Sequence, residues 1–329
     1  MSAGVSGCGP RMRARPLADA TPRELRPLLD EEVEHWGREL LWDFSEVSAA
    51  VANGLDRGSL AGQLMDAEGR PVAYCYYMVD GGRAVVGSLF ASEAVRGRGL
   101  EESLLEAVLA EAQVQPGTER VECQTLFSTT SAADGCFRRA GFASRPRHYL
   151  VRELGQLRDA PARPASSWRL RPVRREDLGL VARLIHGSHV GSLDAALNMT
   201  YATPGHCRTF VETLVLRSGC GRFDPEASFI AERDREAVGI LLASRLSRTN
   251  GHICQLSVAP QAQGRGLGSV LASACLQALA RQGLETASLS VTVGNRRACS
   301  LYERLGFRLH REFAAHAWVR PPGRLEVPA

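Results

Sequence analysis

The sequence predicts an α/β (α+β) fold built as two tandem copies of one domain, and three observations indicate this. The chain has 329 residues, which at roughly 150 residues per domain corresponds to about two domains. Its composition, 44% hydrophobic and 23% charged, is ordinary for a globular protein. An order of strand, glycine-rich turn, helix, strand, helix and Gly-Phe occurs twice along the chain.

The two copies are related by a nearly constant offset. The turn that begins at Gln263 follows the one at Arg96 by 167 residues, and Gly306 follows Gly141 by 165. The segment 156–167 contains two prolines, small residues and no periodicity, which is typical of a linker. We therefore expect a disordered leader at 1–14, domains at 15–155 and 168–322, and a tail at 323–329.

The periodicity of the second copy predicts its elements in order. Alternating apolar residues predict strands, and apolar residues three and four apart predict helices. The predicted helices are Arg175–His186, Leu267–Ala280 and Arg296–Leu305. The predicted strands are Trp168–Val173, Phe229–Ala231, Ala237–Ser244, Ile253–Val258, Ala287–Val293, Phe307–His310 and His316–Arg320, of which the last two close the sheet of this copy.

Charge and cysteine usage exclude several classes of function. The net charge is +4, all basic residues are arginines, and no basic run reaches five residues, which argues against a nucleic-acid partner. No stretch of about 18 apolar residues predicts a membrane helix, and the N-terminus lacks the apolar core of a secretory signal. The nine cysteines form no C-x-x-C pair. We expect buried thiols in a cytoplasmic protein, with no membrane partner and no metal.

The second glycine-rich turn, Gln263-Gly264-Arg265-Gly266-Leu267-Gly268, lies between a predicted strand and a predicted helix. Such a turn offers backbone N–H groups and the positive end of a helix dipole, which together suit a pyrophosphate. The spacing matches neither G-x-G-x-x-G nor a nucleotide P-loop. By itself the turn also fits a tight strand–helix connection without a ligand.

Its context resembles a known family. The turn follows a strand that ends in Val258-Ala259-Pro260, and a second landmark follows at Asn295 and at 301–307, LYERLGF. This combination resembles the GCN5-related N-acetyltransferase (GNAT) superfamily over residues 168–320, and more loosely over 15–153. The resemblance implies two acetyltransferase domains, each a mixed, mostly antiparallel sheet flanked by helices. The tandem architecture is similar to that of mycothiol synthase, although no substrate-site motif of that enzyme is recognised.

The resemblance also implies a site for acetyl-CoA in the second copy. The strand before the turn would separate from its neighbour there, and its free N–H groups at Leu256, Ser257 and Val258 would hold the pantetheine and the thioester oxygen. Asn295 would contact the pantetheine arm, or would simply be a turn residue at the end of a strand. The pyrophosphate would be bound by the run Gln263, Gly264, Arg265, Gly266, Leu267, Gly268 and Ser269.

The resemblance implies that the acceptor amine attacks acetyl-CoA directly within a ternary complex. Two residues are candidates for the proton transfers of this reaction. Tyr302 matches the general acid of the family, which protonates the departing CoA thiolate. His252 begins the strand before the turn, and its imidazole titrates in the range needed to deprotonate an amine. The alternatives are a packing role for Tyr302, and a surface or turn position for His252 with deprotonation through water.

The first copy has lost several of these residues. Glu101 stands where the second copy has Gly268, Val85 where it has His252, Phe137 where it has Tyr302, and Thr130 where it has Asn295. A carboxylate beside a pyrophosphate is unfavourable. We therefore expect a degenerate first domain with a structural role, although its turn could still hold CoA without turnover.

The acceptor is expected to be an amine on a small molecule or a peptide. The resemblance places the acceptor site at the segment 186–218, which carries the polar candidates His189, Asp194, Tyr201, His206 and Glu212. The alternative for each of them is a place in a solvated loop. The alternative function is a non-catalytic acyl-CoA-binding protein with a regulatory or scaffold role. Other acyl donors remain open at this stage, and so does a pairing of the two domains with each other.

Overall fold

The computed structural model describes residues 12–126, 131–157, 168–217 and 220–321. Most of the predicted leader and linker, the predicted tail and Thr130 lie outside these residues. By contact, the described residues form two compact units. The first unit comprises the described parts of 1–35, 45–144 and 314–329, and the second those of 36–44 and 145–313.

The first unit contains a sheet whose strands run in the order β1, β2, β3, β4, β5 and the end of β13. All neighbours are antiparallel except β4 and β5. The strands are β1 (Met12–Pro16), β2 (Ala61–Ala67), β3 (Arg70–Asp80), β4 (Arg83–Ala91), β5 (Arg120–Gln124) and β13 (Arg308–Val319). The helices of the N-terminal half are α1 (Pro22–Leu40), α2 (Ser45–Asp56), α3 (Leu100–Val114) and α4 (Ser131–Arg139).

The second unit contains a sheet in the order β7, β9, β10, β11, β12 and β6, and a short strand β8 also pairs with β10. Here β11 and β12 are the parallel pair. The strands are β6 (Ala143–Glu153), β7 (Arg169–Pro172), β8 (Arg222–Phe223), β9 (Phe229–Arg233), β10 (Glu236–Arg245), β11 (Asn250–Val258) and β12 (Thr286–Thr292). The helices are α5 (Leu178–His189), α6 (Leu193–Leu197), α7 (Pro204–Leu216), α8 (Leu267–Arg281) and α9 (Arg296–Arg304).

Helices cover both faces of the sheet in the second unit. Leu241 of β10 is buried with α8 residues such as Leu271 on one face. Its neighbours Ile240 and Leu242 are buried on the other face with α5 and α7. Successive strand residues point to opposite faces, so the continuous apolar run in β10 reflects burial on both sides. The predicted fold class, mixed sheets flanked by helices, is confirmed.

The predicted elements of the second copy agree with the structure except at its C-terminal end. Phe307–His310 and His316–Arg320 were expected as two strands that close one sheet, and this is wrong. β13 is continuous, and its residues Ala315–Val319 pair with β5 in the first unit. The alternation of buried Phe313, Ala315 and Ala317 carries the strand through the expected break. The predicted boundaries 15–155 and 168–322 assign β6 to the first domain and all of β13 to the second. The compact units instead place most of β6 in the second unit and the end of β13 in the first.

Among the described residues, no helix combines the length and the apolar composition that a bilayer crossing requires.

Candidate active site

A cavity of about 600 Å³ lies in the second unit where β11 ends and α8 begins. Its lining combines backbone and side chains from β11, the glycine-rich turn, α9 and the ends of α5 and α6. Ten of the predicted binding residues line it: Leu256, Ser257, Val258, Gln263, Gly264, Gly266, Leu267, Gly268, Ser269 and Asn295. The remaining one, Arg265, is exposed and is absent from the described lining.

The cavity opens where two parallel strands separate. The register between β11 and β12 ends at the pair Ile253 and Leu289. Beyond it, β11 continues to Val258 in register with β10 alone. This geometry matches the predicted separation and leaves one edge of the last β11 residues beyond the β12 register. N–H groups on such an edge can donate to a ligand.

The glycine-rich turn has the conformation that its glycines permit. Gly264 and Gly266 have φ angles of 78° and 82°, in the left-handed region that favours glycine. Gly266 is the N-cap of α8, and because it has no side chain it cannot cap the first amides of that helix. Gln263 braces the turn by donating from Nε2 to the carbonyl of Val258 at 3.0 Å. The result is a helix N-terminus that suits an anion.

Close packing explains the last glycine of the turn. A Cβ atom at Gly268 would lie 3.3 Å from Cδ2 of Leu301 on α9. A larger side chain would have to displace that contact or enter the cavity that Gly268 lines.

Asn295 combines two roles that the sequence analysis treated as alternatives. Its Oδ1 accepts a hydrogen bond from the Ala298 backbone N–H at 3.2 Å, which caps α9. The residue also lines the cavity. Capping uses the amide oxygen, so the donors of the same side chain remain for a ligand.

Tyr302 lies on α9 directly after the cavity residue Leu301, but it is absent from the described lining. Only 7% of it is exposed, and its ring packs edge-to-face on Phe307 at 5.7 Å. Burial raises the pKa of its phenol above the ordinary value, and the neighbouring Asp194 contributes to the increase. The phenol therefore stays protonated at neutral pH, as a proton donor must.

His252 is buried at the start of β11 and also lies outside the described lining. Its Nδ1 is 2.9 Å from Oγ of Ser288, and its ring stacks on Tyr149 at 6.0 Å. Burial and the positive charge of Arg147 lower the pKa of His252 to about 4. An imidazole in these surroundings binds protons weakly at neutral pH.

Three potential metal ligands lie close together beside this histidine, although the sequence shows no ligand spacing. The ligand atoms of Cys220, His252 and Cys254 lie within 4.8 Å of one another. Cys254 is half-buried, and its thiol donates to Oγ of Ser244 at 3.2 Å. Donor types and proximity would allow a cation, but the positive charge that lowers the pKa of His252 opposes one.

Several lining residues were not predicted as cofactor contacts. Arg297 and Arg304 of α9 line the cavity with Leu301, and Arg297 donates to Oε1 of Gln263 at 2.9 Å. Their spacing puts them on one helix face, a signal that was available in the sequence. His189 and Asp194, named only as acceptor candidates, line the same cavity. No local sequence pattern places His189 and Asp194 in this lining, because the packing of α5 and α6 brings them to the cavity.

Comparison with known proteins identifies the family of the chain. The model of the acetyltransferase (GNAT) family matches residues 23–142 and 196–307. Mycothiol acetyltransferase of Streptomyces avermitilis is 45% identical over 89 residues, which cover 27% of this chain and 29% of that protein. The enzyme of the same name from Acidothermus cellulolyticus is 33% identical over 229 residues, 65% of each chain. The chain thus aligns with less than a third of the first of these relatives.

Solved structures resemble most of the chain in fold. A GCN5-related N-acetyltransferase from Sphaerobacter thermophilus has a TM-score of 0.65 at 20% identity, covering 95% of this chain and 96% of its own. A tandem GNAT protein from the clavulanic acid biosynthesis pathway has a TM-score of 0.60 at 15% identity, covering 95% and 100%. These likenesses concern the fold. Since the family model matches more than half of the chain and matches it twice, the protein belongs to the acetyltransferase (GNAT) family and carries two of its domains.

Proposed function

We propose that this protein transfers an acetyl group from acetyl-CoA to an amine, and that the second unit carries the reaction. One observation supports this above the others. The cavity at the start of α8 is lined by the glycine-rich turn, the separated end of β11 and Asn295. These are the parts that the family resemblance assigns to the donor.

The charges and donors of the cavity suit the donor's anionic end. The first amides of α8 and the dipole of that helix favour a pyrophosphate. Arg297 and Arg304 add two guanidinium groups on the same lining, and an arginine can hold a phosphate through paired hydrogen bonds. Ser269 adds a hydroxyl.

The reacting end would lie at the separated strand. Of the β11 residues Leu256, Ser257 and Val258, those whose N–H groups point away from β10 would donate to the pantetheine arm and to the thioester oxygen, on which negative charge develops during direct attack in a ternary complex. Tyr302 would donate its proton to the departing thiolate. For this the phenol must reach the sulfur, so we propose that it moves from its packing on Phe307 or that the sulfur approaches it.

For the acceptor we propose a primary amine, and the names of the relatives suggest the first one to test. Relatives called mycothiol acetyltransferases match the chain. The unacetylated amine precursor of mycothiol is therefore the first acceptor, and glucosamine and 2-phenylethylamine extend the range of amines.

Two measurements test the function. Calorimetric titration of the full chain with acetyl-CoA should show binding, and release of CoA in the presence of the amines should show transfer. Because the mycothiol precursor itself carries a thiol, a thiol assay does not distinguish it from released CoA, and the acetylated product must be confirmed by its mass. Tight binding with no acetylated product from any amine would favour a non-catalytic acyl-CoA-binding protein. Absence of binding would refute both functions.

A further inference from the structure

His189 and Asp194 bring a nitrogen base and a carboxylate to the lining of the cavity. His189 is the last residue of α5, and Asp194 lies in the first turn of α6. Both line the cavity together with the β11 residues Leu256 to Val258, where the thioester would lie under the proposed function. The pair is therefore placed where an acceptor would meet the donor.

The hydrogen bonds of His189 determine which of its ring nitrogens carries the proton. Its Nδ1 lies 2.9 Å from the carbonyl oxygen of Ile185 and 3.0 Å from Oγ of Ser188. Ser188 donates its own hydroxyl proton to the same carbonyl, at 2.8 Å. Both neighbours of Nδ1 are thus acceptors, so Nδ1 bears the hydrogen. In the neutral ring, Nε2 then holds an unshared electron pair.

The ring of His189 is also held in place by stacking. It lies parallel to the ring of Tyr201 at 4.0 Å, with 7° between the planes. The Tyr201 hydroxyl in turn donates to Oε1 of Gln255 on β11, at 3.1 Å. A base held on both its edge and its face loses little freedom when an acceptor binds, which favours proton transfer.

The groups that face His189 set its protonation. Burial lowers the pKa of its imidazole, and the negative charge of Asp194 partly opposes that shift. Tyr201 also packs against the ring, and burial raises its pKa to about 12, so it remains neutral. The imidazole is therefore unprotonated at neutral pH and able to accept a proton.

Asp194 presents a carboxylate whose surroundings hold it in place. The hydroxyl of Thr292 on β12 donates to its Oδ1 at 2.5 Å. The second oxygen can accept from a ligand. A carboxylate in a cavity recognises a cationic ligand, and an amine acceptor is a cation at neutral pH.

We propose that Asp194 binds the acceptor as a primary ammonium ion and that Nε2 of His189 is the general base that deprotonates it. This inference rests on the proposed function and names its acceptor site. One N–H proton passes to Nε2, and the freed nitrogen pair forms the bond to the thioester carbon. The C–S bond then breaks, and Tyr302 gives its proton to the thiolate. The proton that the new amide nitrogen sheds restores Tyr302, and His189 releases its proton to solvent.

This assignment replaces the base expected from the sequence. His252 and His189 both have Nδ1 next to an oxygen acceptor, but only His189 is in the described lining of the cavity. His252 instead lies among Cys220, Cys254 and Tyr149. A base must reach its proton, so position decides between the two histidines.

The experiment compares three histidine variants of the full chain: His189→Gln, His252→Gln and His148→Gln. His148 is a half-buried control on β6, with Nε2 at 3.4 Å from Oε1 of Glu312, and it is absent from the described lining. For the fastest of the three amines named above, kcat/KM of His189→Gln at pH 7 should fall about 100-fold. Acetyl-CoA affinity should stay within about twofold, and the two other variants should lose less than about threefold.

The pH profile separates a base from a structural residue. Without its base, the variant depends on amine that is already unprotonated, so its kcat/KM should rise about tenfold per pH unit up to the amine pKa. Added imidazole should restore activity to His189→Ala. A rescue or a slope of this kind does not arise from misfolding. Asp194→Asn should raise KM for the cationic amine about tenfold while leaving acetyl-CoA binding unchanged.

The outcomes are distinguishable. An active protein in which His189→Gln behaves like the control would overturn the inference but leave the proposed function standing. Loss in His252→Gln alone would return the base to the position expected from sequence. Nitrogen NMR showing the hydrogen of His189 on Nε2 would also refute the inference. Wild type that acetylates none of the three amines would end the proposed function and this inference together.

Discussion

The two glycine-rich turns have similar backbone conformations but differ in one side chain at the ligand-facing amides. Gly97 and Gly99 have φ angles of 74° and 82°, close to those of Gly264 and Gly266 at 78° and 82°. In each turn the first side chain also folds back to the strand before it. Arg96 donates to the carbonyl of Ala91 at 3.0 Å, as Gln263 does to that of Val258.

The difference lies at the fifth residue after that side chain. In the first unit, Oε1 of Glu101 accepts a hydrogen bond from the Gly97 backbone N–H at 3.3 Å. In the second unit the equivalent residue is Gly268, which lines the cavity. The first turn thus holds a carboxylate of its own at an amide that an anionic ligand would use. From this comparison we propose that the first unit retains the backbone of an anion site and that the side chain of Glu101 closes it.

The parallel strand pairs and the aromatic pairs of the two units also have the same geometry. The parallel registers begin at Arg83 with Arg120 and at Asn250 with Thr286, and each covers four pairs. Phe137 packs on Phe142 at an interplanar angle of 71°, as Tyr302 packs on Phe307 at 72°. The aromatic position therefore serves packing in both units, and a hydroxyl is present only in the second.

The largest expected effect comes from removing that hydroxyl. Tyr302→Phe should lower kcat about 100- to 1,000-fold, because a general acid contributes on this scale. Acetyl-CoA affinity should change less than about twofold, since Phe occupies the same position in the first unit. Steady-state kinetics and calorimetry measure the two quantities. Tyr77→Phe, which removes a buried hydroxyl from the first unit, is the control. Equal losses in kcat and affinity would make Tyr302 a packing residue.

Copying the first turn into the second should remove donor binding. Gly268→Glu should weaken acetyl-CoA binding about 100-fold, or about 2.7 kcal/mol, because it places a negative charge beside the pyrophosphate. Gly268→Gln has nearly the same size without the charge, so calorimetry of the two separates charge from the contact with Leu301. If both variants bind like wild type, the donor site lies elsewhere. If a second site remains in Gly268→Glu, the first unit also binds the donor.

The reverse change should open the first turn. In a Gly268→Glu background, Glu101→Gly should increase residual acetyl-CoA binding about tenfold, because the Gly97 amide is freed and a like charge is removed. No turnover should accompany it, since Phe137 has no hydroxyl. Glu102→Gly removes a neighbouring charge and serves as the control. Unchanged binding would mean that differences other than Glu101 close the first site.

The smallest expected effect concerns stability and compares two ion-pair clusters. Arg171 pairs with Asp177 at 2.7 Å and with Glu232 at 2.6 Å, whereas Arg15 pairs with Asp66 at 2.7 Å and lies 3.9 Å from exposed Glu24. Arg171 lowers the pKa of Asp177, which is buried. Asp177→Asn should destabilise the protein at pH 7 by about 1–3 kcal/mol.

The sign of the pH dependence follows from that pKa. A carboxyl with a lowered pKa stabilises the fold above its unfolded pKa of about 3.9, and this contribution disappears as pH falls through the folded pKa. The difference between wild type and Asp177→Asn in urea unfolding should therefore shrink below pH 4. Glu24→Gln is the exposed counterpart and should have a smaller effect at every pH, since glutamine can also accept the hydrogen bonds from Thr21 that cap α1. A difference that is constant with pH would indicate lost packing instead of lost charge.

Local signals predicted most of the second unit's elements. Helix periodicity placed α8 and α9 to within one residue of their observed ends, and left-handed Gly306 marks the end of α9 as expected. Nine of the predicted donor-site residues lie between Leu256 and Ser269 and line one cavity because they follow each other closely along the chain, and Asn295 joins them at the start of α9. Short-range geometry is encoded in short-range sequence.

Long-range placement escaped the same analysis. The family resemblance made His189 and Asp194 acceptor candidates, but their place in one cavity with Ser257 requires α5 and α6 to pack in one particular way. The proximity of Cys220 and Cys254 is likewise a product of the fold. The prediction for His252 had the strand right, but burial beside Ser288 depends on a neighbouring strand distant in sequence.

By itself, the sequence determined that the chain is a tandem repeat, that its second copy keeps the glycine-rich turn, and that Glu101 and Phe137 distinguish the first copy. These features depend on residue identity and spacing alone. Tertiary structure decided which strand completes each sheet, since β13 ends beside β5, and which histidine lines the cavity. Strand pairing and burial are set by the free energy of the whole packed core, to which residues far apart in sequence contribute together.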